Sequence, residues 1–545
     1  MTRLPERPDL DHVKKQAKDL LAACRRGDPR AFARFRDALP AAAGRSDEAI
    51  GVLGLRLHDA QSCIAREYGF PSWAELRGFV EARRALADDR PGSVLAWLRL
   101  VYAGDVAGGM NRARPEAASR MLEERPGLVS GDPALACAVG DLGAIRAAMA
   151  ADPGWLGRPG GPLALPPLIA VTHSGLVRLP AFRERLLAAA KLLLDAGADP
   201  NRTIGSRSPP GSVEEPSRET PLSALYGAAG QNRDPAMTAL LLEAGADPND
   251  GESLYHSLEN PACTRLLLEA GARVTGTNAL YRVLDLDDVE TLRLLLAHGG
   301  DPNEGAGGGP TNSLGRPLFW AIRRRRSPAH IEALLAAGAD PSVRMPDGTG
   351  AEALALRFGL MEVAALLAQR TGGEALSEED RFVAACAAGD AETARSIRAR
   401  RPDLPSALPE ARLRLLPDLA GAGAGDAVRV MVELGWPIAI AGGDWGASAL
   451  NHAVFRGDAD LVRFLLAHGA SWEERHGFGD NACGTLAWAS LNEPEGGGDW
   501  VGCAEALLAS GMPAGRPDTA GTDGIVVAGQ VRRFSDEVGD VLLGR

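Results

Sequence analysis

The feature that most constrains this chain is a phrase that keeps returning. KLLLDAGADPN at 191–201 recurs as ALLLEAGADPN (239–249), RLLLEAGARV (265–274), RLLLAHGGDPN (293–303), EALLAAGADPS (332–342), RFLLAHGASW (463–472) and, in weaker form, EALLASGMP (505–513). With Gly197, Gly245, Gly271, Gly299, Gly338, Gly435, Gly469 and Gly511 as markers, the spacings are 48, 26, 28, 39, 97, 34 and 42 residues. The interval of 97 has room for two further, degenerate units. A chain of 545 residues that repeats itself at this period builds one kind of unit many times, instead of dividing into three or four unrelated domains.

About twenty residues before each marker stands a second phrase: TPLSAL at 220, NALYRV at 278, RPLFWAI at 316, SALNHAV at 448 and TLAWAS at 485. In NALYRVLDLDDVETLRLLLAHGGDPN the apolar positions Leu280, Val283, Leu284, Val289, Leu292, Leu295 and Leu296 form two short stripes at helical spacing, parted by an Asp-rich turn. Two helices of about ten residues cannot bury both stripes alone, so neighbouring units must supply the rest of the core. Gly299 suits the left-handed residue that ends the second helix, and Pro302 blocks resumption. The two phrases together resemble the ankyrin repeat, most clearly over 165–515. That resemblance implies an all-α, ankyrin-like helical repeat solenoid with a protein partner held by loop tips and the concave groove. Residues 93–105 with 115–128, 133–153 and 380–404 read as degenerate units of the same kind. The Gly- and Pro-rich insertions 203–219, 304–315 and 492–500 are expected as lengthened projections from the stack.

Residues 1–84 read differently, as a small four-helix domain. Asp9 opens a helix with the stripe Leu10, Val13, Ala17, Leu20, Leu21 and Cys24, and Asp28 with Pro29 opens a second through Leu39. Two more lie near Leu57–Tyr68 and from Ser72, where Ser72 and Glu75 match a capping box. The phrases QAKDLLAACRRGD and IAREYGFPSWAEL resemble the segment found ahead of ankyrin arrays in bacterial proteins. The expected divisions are 1–84, degenerate units over 85–165, repeat arrays over 166–370 and 371–515, and a capping segment over 516–545. On these boundaries, removal of 1–84 should leave the array folded.

Charge and composition narrow the function. With 59 basic against 71 acidic residues the net charge is −12, which opposes a polyanion and makes nucleic acid an unfavoured partner. Residues 1–84 alone carry 16 Lys or Arg against 12 Asp or Glu, so a DNA-binding regulator is kept as an alternative: 59–76 has a helix–turn–helix outline. Its second helix offers Trp73, Glu75, Leu76, Arg77 and Phe79, with Arg83 and Arg84 only at the far end. Seven cysteines without a C-x-x-C spacing point to free thiols in a reducing cytoplasm. The opening MTRLPERPDLDHVKK lacks a secretory apolar run, and no stretch reaches the ~18 apolar residues of a membrane span. Arginine richness fits a bacterial source.

No catalytic constellation stands out, so the chain is expected to be no enzyme and to need no cofactor; an enzyme with a site in an insertion is the second alternative. His468, His476 and Cys483 match no zinc spacing. GAGAGD (421–426) and GAGGGP (305–310) read as loops, lacking the spacing of a dinucleotide site. Ankyrin units commonly carry a His after T-P-L that ties repeats together. Here Ser223, Tyr281, Phe319 and Asn451 hold that place, so irregular packing is expected to replace the lattice, with His452 at a surface or groove. The candidate partner-binding residues are Arg323, Arg324, Arg357, Phe358, Phe455, Arg456 and Trp472, an arginine and aromatic mixture of the kind interface hot spots favour. Trp488 is expected in the core, whereas Trp472 and Trp500 are expected exposed on loops.

Overall fold

A computed structural model describes the chain apart from residues 1–3, 6, 7, 86–89, 110, 306–314, 374, 375, 493, 495, 496, 519–523 and 545. It divides into two compact units, 1–282 and 283–545. Both are built from helical pairs. In the first unit Pro133–Val139 pairs with Leu142–Ala151, Pro167–Thr172 with Pro180–Asp195, the π-helix Tyr226–Asn232 with Pro235–Glu243, and Ser253–Ser257 with Pro261–Glu269. In the second unit the interval without a marker holds two pairs, Ala351–Arg357 with Met361–Thr371 and Glu378–Ala387 with Ala391–Arg400.

Local chemistry sets the length of each second helix. Asp234 and Asp288 accept from the first free N–H groups of their helices, and Pro follows the cap at 235, 261 and 328, where a missing N–H costs nothing. At the far end the marker glycines adopt φ from +89° to +98°. A Cβ built on Gly245 would meet nothing within 4 Å, so the glycine answers to backbone conformation and not to space. One leucine of each apolar run faces the core: Leu193, Leu241, Leu267, Leu295, Leu334, Leu465 and Leu507 are all 0% exposed.

Neighbouring pairs are joined by the last letter of the ADPN phrase. The Asn201 amide donates to the Gly245 carbonyl at 3.0 Å and accepts from Asp247 N at 2.7 Å. Asn249 does the same with Gly271 and Arg273 N, and in the second unit Asn303 with Gly338 and Asp340 N. Each bracket satisfies helix-end and loop groups that would otherwise need water.

The T-P-L position does not go over wholly to irregular packing. Asn451 is fully buried; its Nδ2 donates to the Glu474 carbonyl at 3.0 Å and its Oδ1 accepts from Thr485 Oγ1 at 2.9 Å. An amide thus carries the tie between pairs that an imidazole was not there to make. The TPLSAL phrase also departs from a plain helix start: Pro221–Ser223 is a strand paired antiparallel with Thr203–Gly205, and the helix after it is π-wound.

At the N-terminus the helices Leu10–Arg25, Pro29–Ala38, Leu57–Glu67 and Trp73–Ala85 form as their caps predict, with a further short helix at Asp47–Gly51. The capping box at Ser72 is only half made. Ser72 Oγ accepts from Glu75 N at 3.3 Å, but the buried Glu75 carboxylate reaches across to cap another helix, accepting from Ala117 N at 2.8 Å in Pro115–Glu124. Arg120 of that helix donates to the Tyr68 carbonyl at 3.0 Å and lies 5.0 Å from the Phe70 ring centre. Arg516–Pro517, Ile525–Val527 and Gln530–Arg532 form three short antiparallel strands, and the helix Asp536–Leu542 packs on Trp500–Ala509.

Candidate functional site

All seven candidate residues fall in the second unit, and four of them, Arg323, Arg324, Phe455 and Arg456, lie around the turn at 442–447. Arg323 ends the helix Pro317–Arg323 and Arg324 caps it. The Arg324 guanidinium lies 4.0 Å from the Trp320 ring centre and donates to Asp285 Oδ1 at 2.7 Å and Asp444 Oδ2 at 2.5 Å. Loss of water works against its charge, but the two carboxylates together hold it above the ordinary arginine range. Asp444 sits in the turn closed by the Gly442 and Ala447 pairing, so this arginine ties residues 120 positions apart.

Behind Asp444 two titratable groups are held away from their usual values. Burial pushes the Asp418 carboxyl up to about 6, although Arg323 and a hydrogen bond from Gly443 N at 2.8 Å pull the other way. Burial pushes His452 down to about 4, against the Gly442 carbonyl and Asp444. His452 is therefore no surface residue. It is 6% exposed, wedged so closely that a Cβ on Gly421 would lie 2.9 Å from Nδ1 and one on Gly443 2.6 Å from Nε2.

Trp445 covers His452 with ring centres 4.8 Å apart and continues into a stack: Phe455 at 5.7 Å, then Trp488 lying parallel to Phe455 at 5.4 Å. On its other side His476 is 5.0 Å away, followed by Phe478 at 6.0 Å. Helical spacing placed Trp488 in the core, but its own helix, Ala482–Asn492, turns it outward and it is 50% exposed; Phe478 is 82% exposed. Phe455 and Arg456 are half-buried, and Arg456 donates to the Gly421 carbonyl at 3.2 Å.

The remaining candidates lie elsewhere. Arg357 donates to Thr349 Oγ1 at 2.8 Å and pairs with Asp380 at 3.3 Å, and burial lowers its pKa. Phe358 is buried, with its carbonyl taken by Arg325. Neither presents the surface expected of it. Trp472 is half-buried, and among the described residues its ring joins none of the stack's contacts. Trp500 is not an exposed loop residue. It begins the helix Trp500–Ala509, is buried, and donates to the Phe455 carbonyl at 3.4 Å, with Asp499 N just before it on the Gly457 carbonyl. Trp445, Trp488 and Phe478 were therefore missed as a surface group. Only the density of tryptophan between 436 and 500 marked the region.

The other motifs are accounted for. His468 bonds the Phe464 carbonyl at 2.8 Å, Cys483 is buried, and among the described residues no group of His, Cys, Asp and Glu is placed to hold a metal ion. GAGAGD spans the turn 422–424 between two helices: Gly421 ends one and Gly425 begins the next. GAGGGP lies almost wholly outside the described residues. In the helix–turn–helix outline Arg77 pairs with Glu81 and Arg83 with Glu124. Among the described residues no helix is long and apolar enough to cross a membrane.

The ankyrin repeat family model matches residues 445–476, the stretch from Trp445 to His476. No curated protein matches the chain. Among solved structures, the human ASB11 ankyrin repeat domain is similar at 22% identity with a TM-score of 0.32, covering 45% of this chain and 99% of that one. The helical pairs and the family match together make the fold an all-α, ankyrin-like one.

Proposed function

We propose that this chain is a non-catalytic protein-binding module, and that its principal contact is the ring stack of Trp445, Phe455, Trp488 and Phe478 in the second unit. The observation that carries this is a run of rings with Trp488 half exposed at one end and Phe478 almost bare at the other. Large rings left in water at the edge of a rigid stack are what a partner's apolar side chains would cover, and aromatic anchors of this kind dominate interface energies. Arg323, Arg324 and Arg456 lie beside the stack. Arg324 is spent on Asp285 and Asp444, so its part is to hold the Asp444 turn in place beneath Trp445. Seven buried, unpaired thiols support a reducing compartment, the bacterial cytoplasm.

The test is affinity purification of the full chain from its source cell, comparing wild type with the triple variant Phe455→Ala, Trp488→Ala, Phe478→Ala. Retained proteins should lose affinity by at least ~2 kcal/mol, about thirtyfold, while Trp472→Ala, outside the stack, leaves capture near wild type. Undiminished capture by a triple variant that melts like wild type rejects the assignment.

A further inference from the structure

The insertion 203–219 is not a projection. Its first residues, Thr203–Gly205, pair with the strand Pro221–Ser223 that follows it, and Ser206 N donates to the Thr220 carbonyl at 2.9 Å and Ser217 N to the Ser206 carbonyl at 2.7 Å, which closes the segment into an arm. The arm folds back onto the short helix Gly104–Ala107. Arg207 donates its main-chain N–H to the Asp105 carbonyl at 2.7 Å and its Nη1 to the Val106 carbonyl at 2.8 Å, and is 3% exposed. Val213 lies over Gly108, where an added Cβ would come within 3.0 Å of its Cγ2.

The seat beneath Arg207 is polar and incompletely used. Asp105 Oδ2 accepts from the Tyr226 hydroxyl at 3.1 Å and Gln231 Nε2 at 2.5 Å, which ties the seat to the π-helix. Asp105 Oδ1 and Arg207 Nε are both buried without a hydrogen-bond partner. A buried polar atom left without a partner is costly, and the seat carries that cost on both sides of its hold. The hold consists of one main-chain bond and one arginine side chain on a carbonyl, while Glu214, Glu215, Arg218 and Glu219 face water.

We infer that residues 206–217 are a self-bound strap. The seat formed by Asp105, Val106, Tyr226 and Gln231 recognises an extended polar segment that presents an arginine, and the strap occupies it until such a segment displaces it. This concerns the first unit alone and stands or falls apart from the ring stack.

The probe is a fluorescent synthetic peptide of residues 204–218, offered to wild-type chain and to a variant in which 207–216 is replaced by Gly-Gly. The strapless variant should bind the peptide, the peptide with Arg207→Ala should bind at least tenfold more weakly, and wild type should bind neither. A strapless variant that melts like wild type yet ignores the peptide overturns the inference, as does equal binding by wild type. Should the strapless variant fail to fold, hydrogen exchange on full-length Arg207→Ala decides. The amides of Ser206 and Ser217 should exchange at least tenfold faster while those of Pro235–Glu243 are unchanged, and unaltered strap protection overturns the inference.

Discussion

His452 shows how one side chain can record the packing around it. The unfolded chain takes up a proton at this residue near its ordinary 6.5, whereas the folded protein waits until about 4. Its contribution is therefore present above pH 6.5 and is lost as pH falls toward 4, by on the order of 3 kcal/mol. Asp418 has the opposite sign. Its folded value of about 6 lies above the ordinary 3.8, so the stability it lends is full below 3.8 and gone once pH has risen through 6. Two outcomes follow for melting measured against pH. His452→Gln should flatten the acid-side fall between 6.5 and 4. Asp418→Asn should raise stability at pH 7 by up to ~1 kcal/mol, because a neutral amide still accepts from Gly443 N without a half-buried charge that has lost water. A wild-type curve indistinguishable from that of His452→Gln would show that the ring is hydrated.

Among elements, the helix Trp73–Ala85 has the largest consequence. Its Glu75 leaves the local capping box and satisfies the start of Pro115–Glu124, while Trp97 Nε1 donates to the Ala118 carbonyl at 3.1 Å in that same helix. The helix Trp73–Ala85 thus shares the packing of 90–124, a contact that sets itself against the expectation that the array stays folded without 1–84. Glu75→Ala should destabilise the first unit by ~1–2 kcal/mol, the usual cost of a lost cap, and Glu75→Gln by less. Truncation at residue 85 should remove cooperative melting of that unit, read by circular dichroism. A truncated chain with the full-length melting profile would restore the first 84 residues to independence.

Across the whole molecule the thiols offer the broadest check. All seven are buried, and burial pushes Cys63, Cys137 and Cys386 up to about 12 and Cys483 to about 11, with Cys24, Cys263 and Cys503 also raised. The thiolate is the reactive form, so a disulfide reagent at pH 8 should label none of them quickly in the native protein and all seven once both units are unfolded. Fast labelling of a single cysteine under native conditions would locate a segment that opens on its own.

The sequence by itself determined the repeating unit: where helices stop at the marker glycines, how many pairs fill the unmarked interval, and where Asp9 and Asp28 with Pro29 start their helices. These depend on neighbours within about ten residues, and a fixed backbone conformation or a helical period is legible at that range. What only the tertiary structure decided involves partners far apart along the chain. Arg324 looked like a free binding residue until Asp285 and Asp444 closed on it. Trp488 looked like core until its helix turned it outward against Phe455, and Glu75 looked like a local cap until Ala117 N came within its reach. Residues 203–219 read as a loose projection, because composition reports that a segment is polar and has no means of reporting that Arg207 finds two carbonyls a hundred residues earlier. Local sequence sets what a side chain can offer, and long-range packing sets what is left over for a partner.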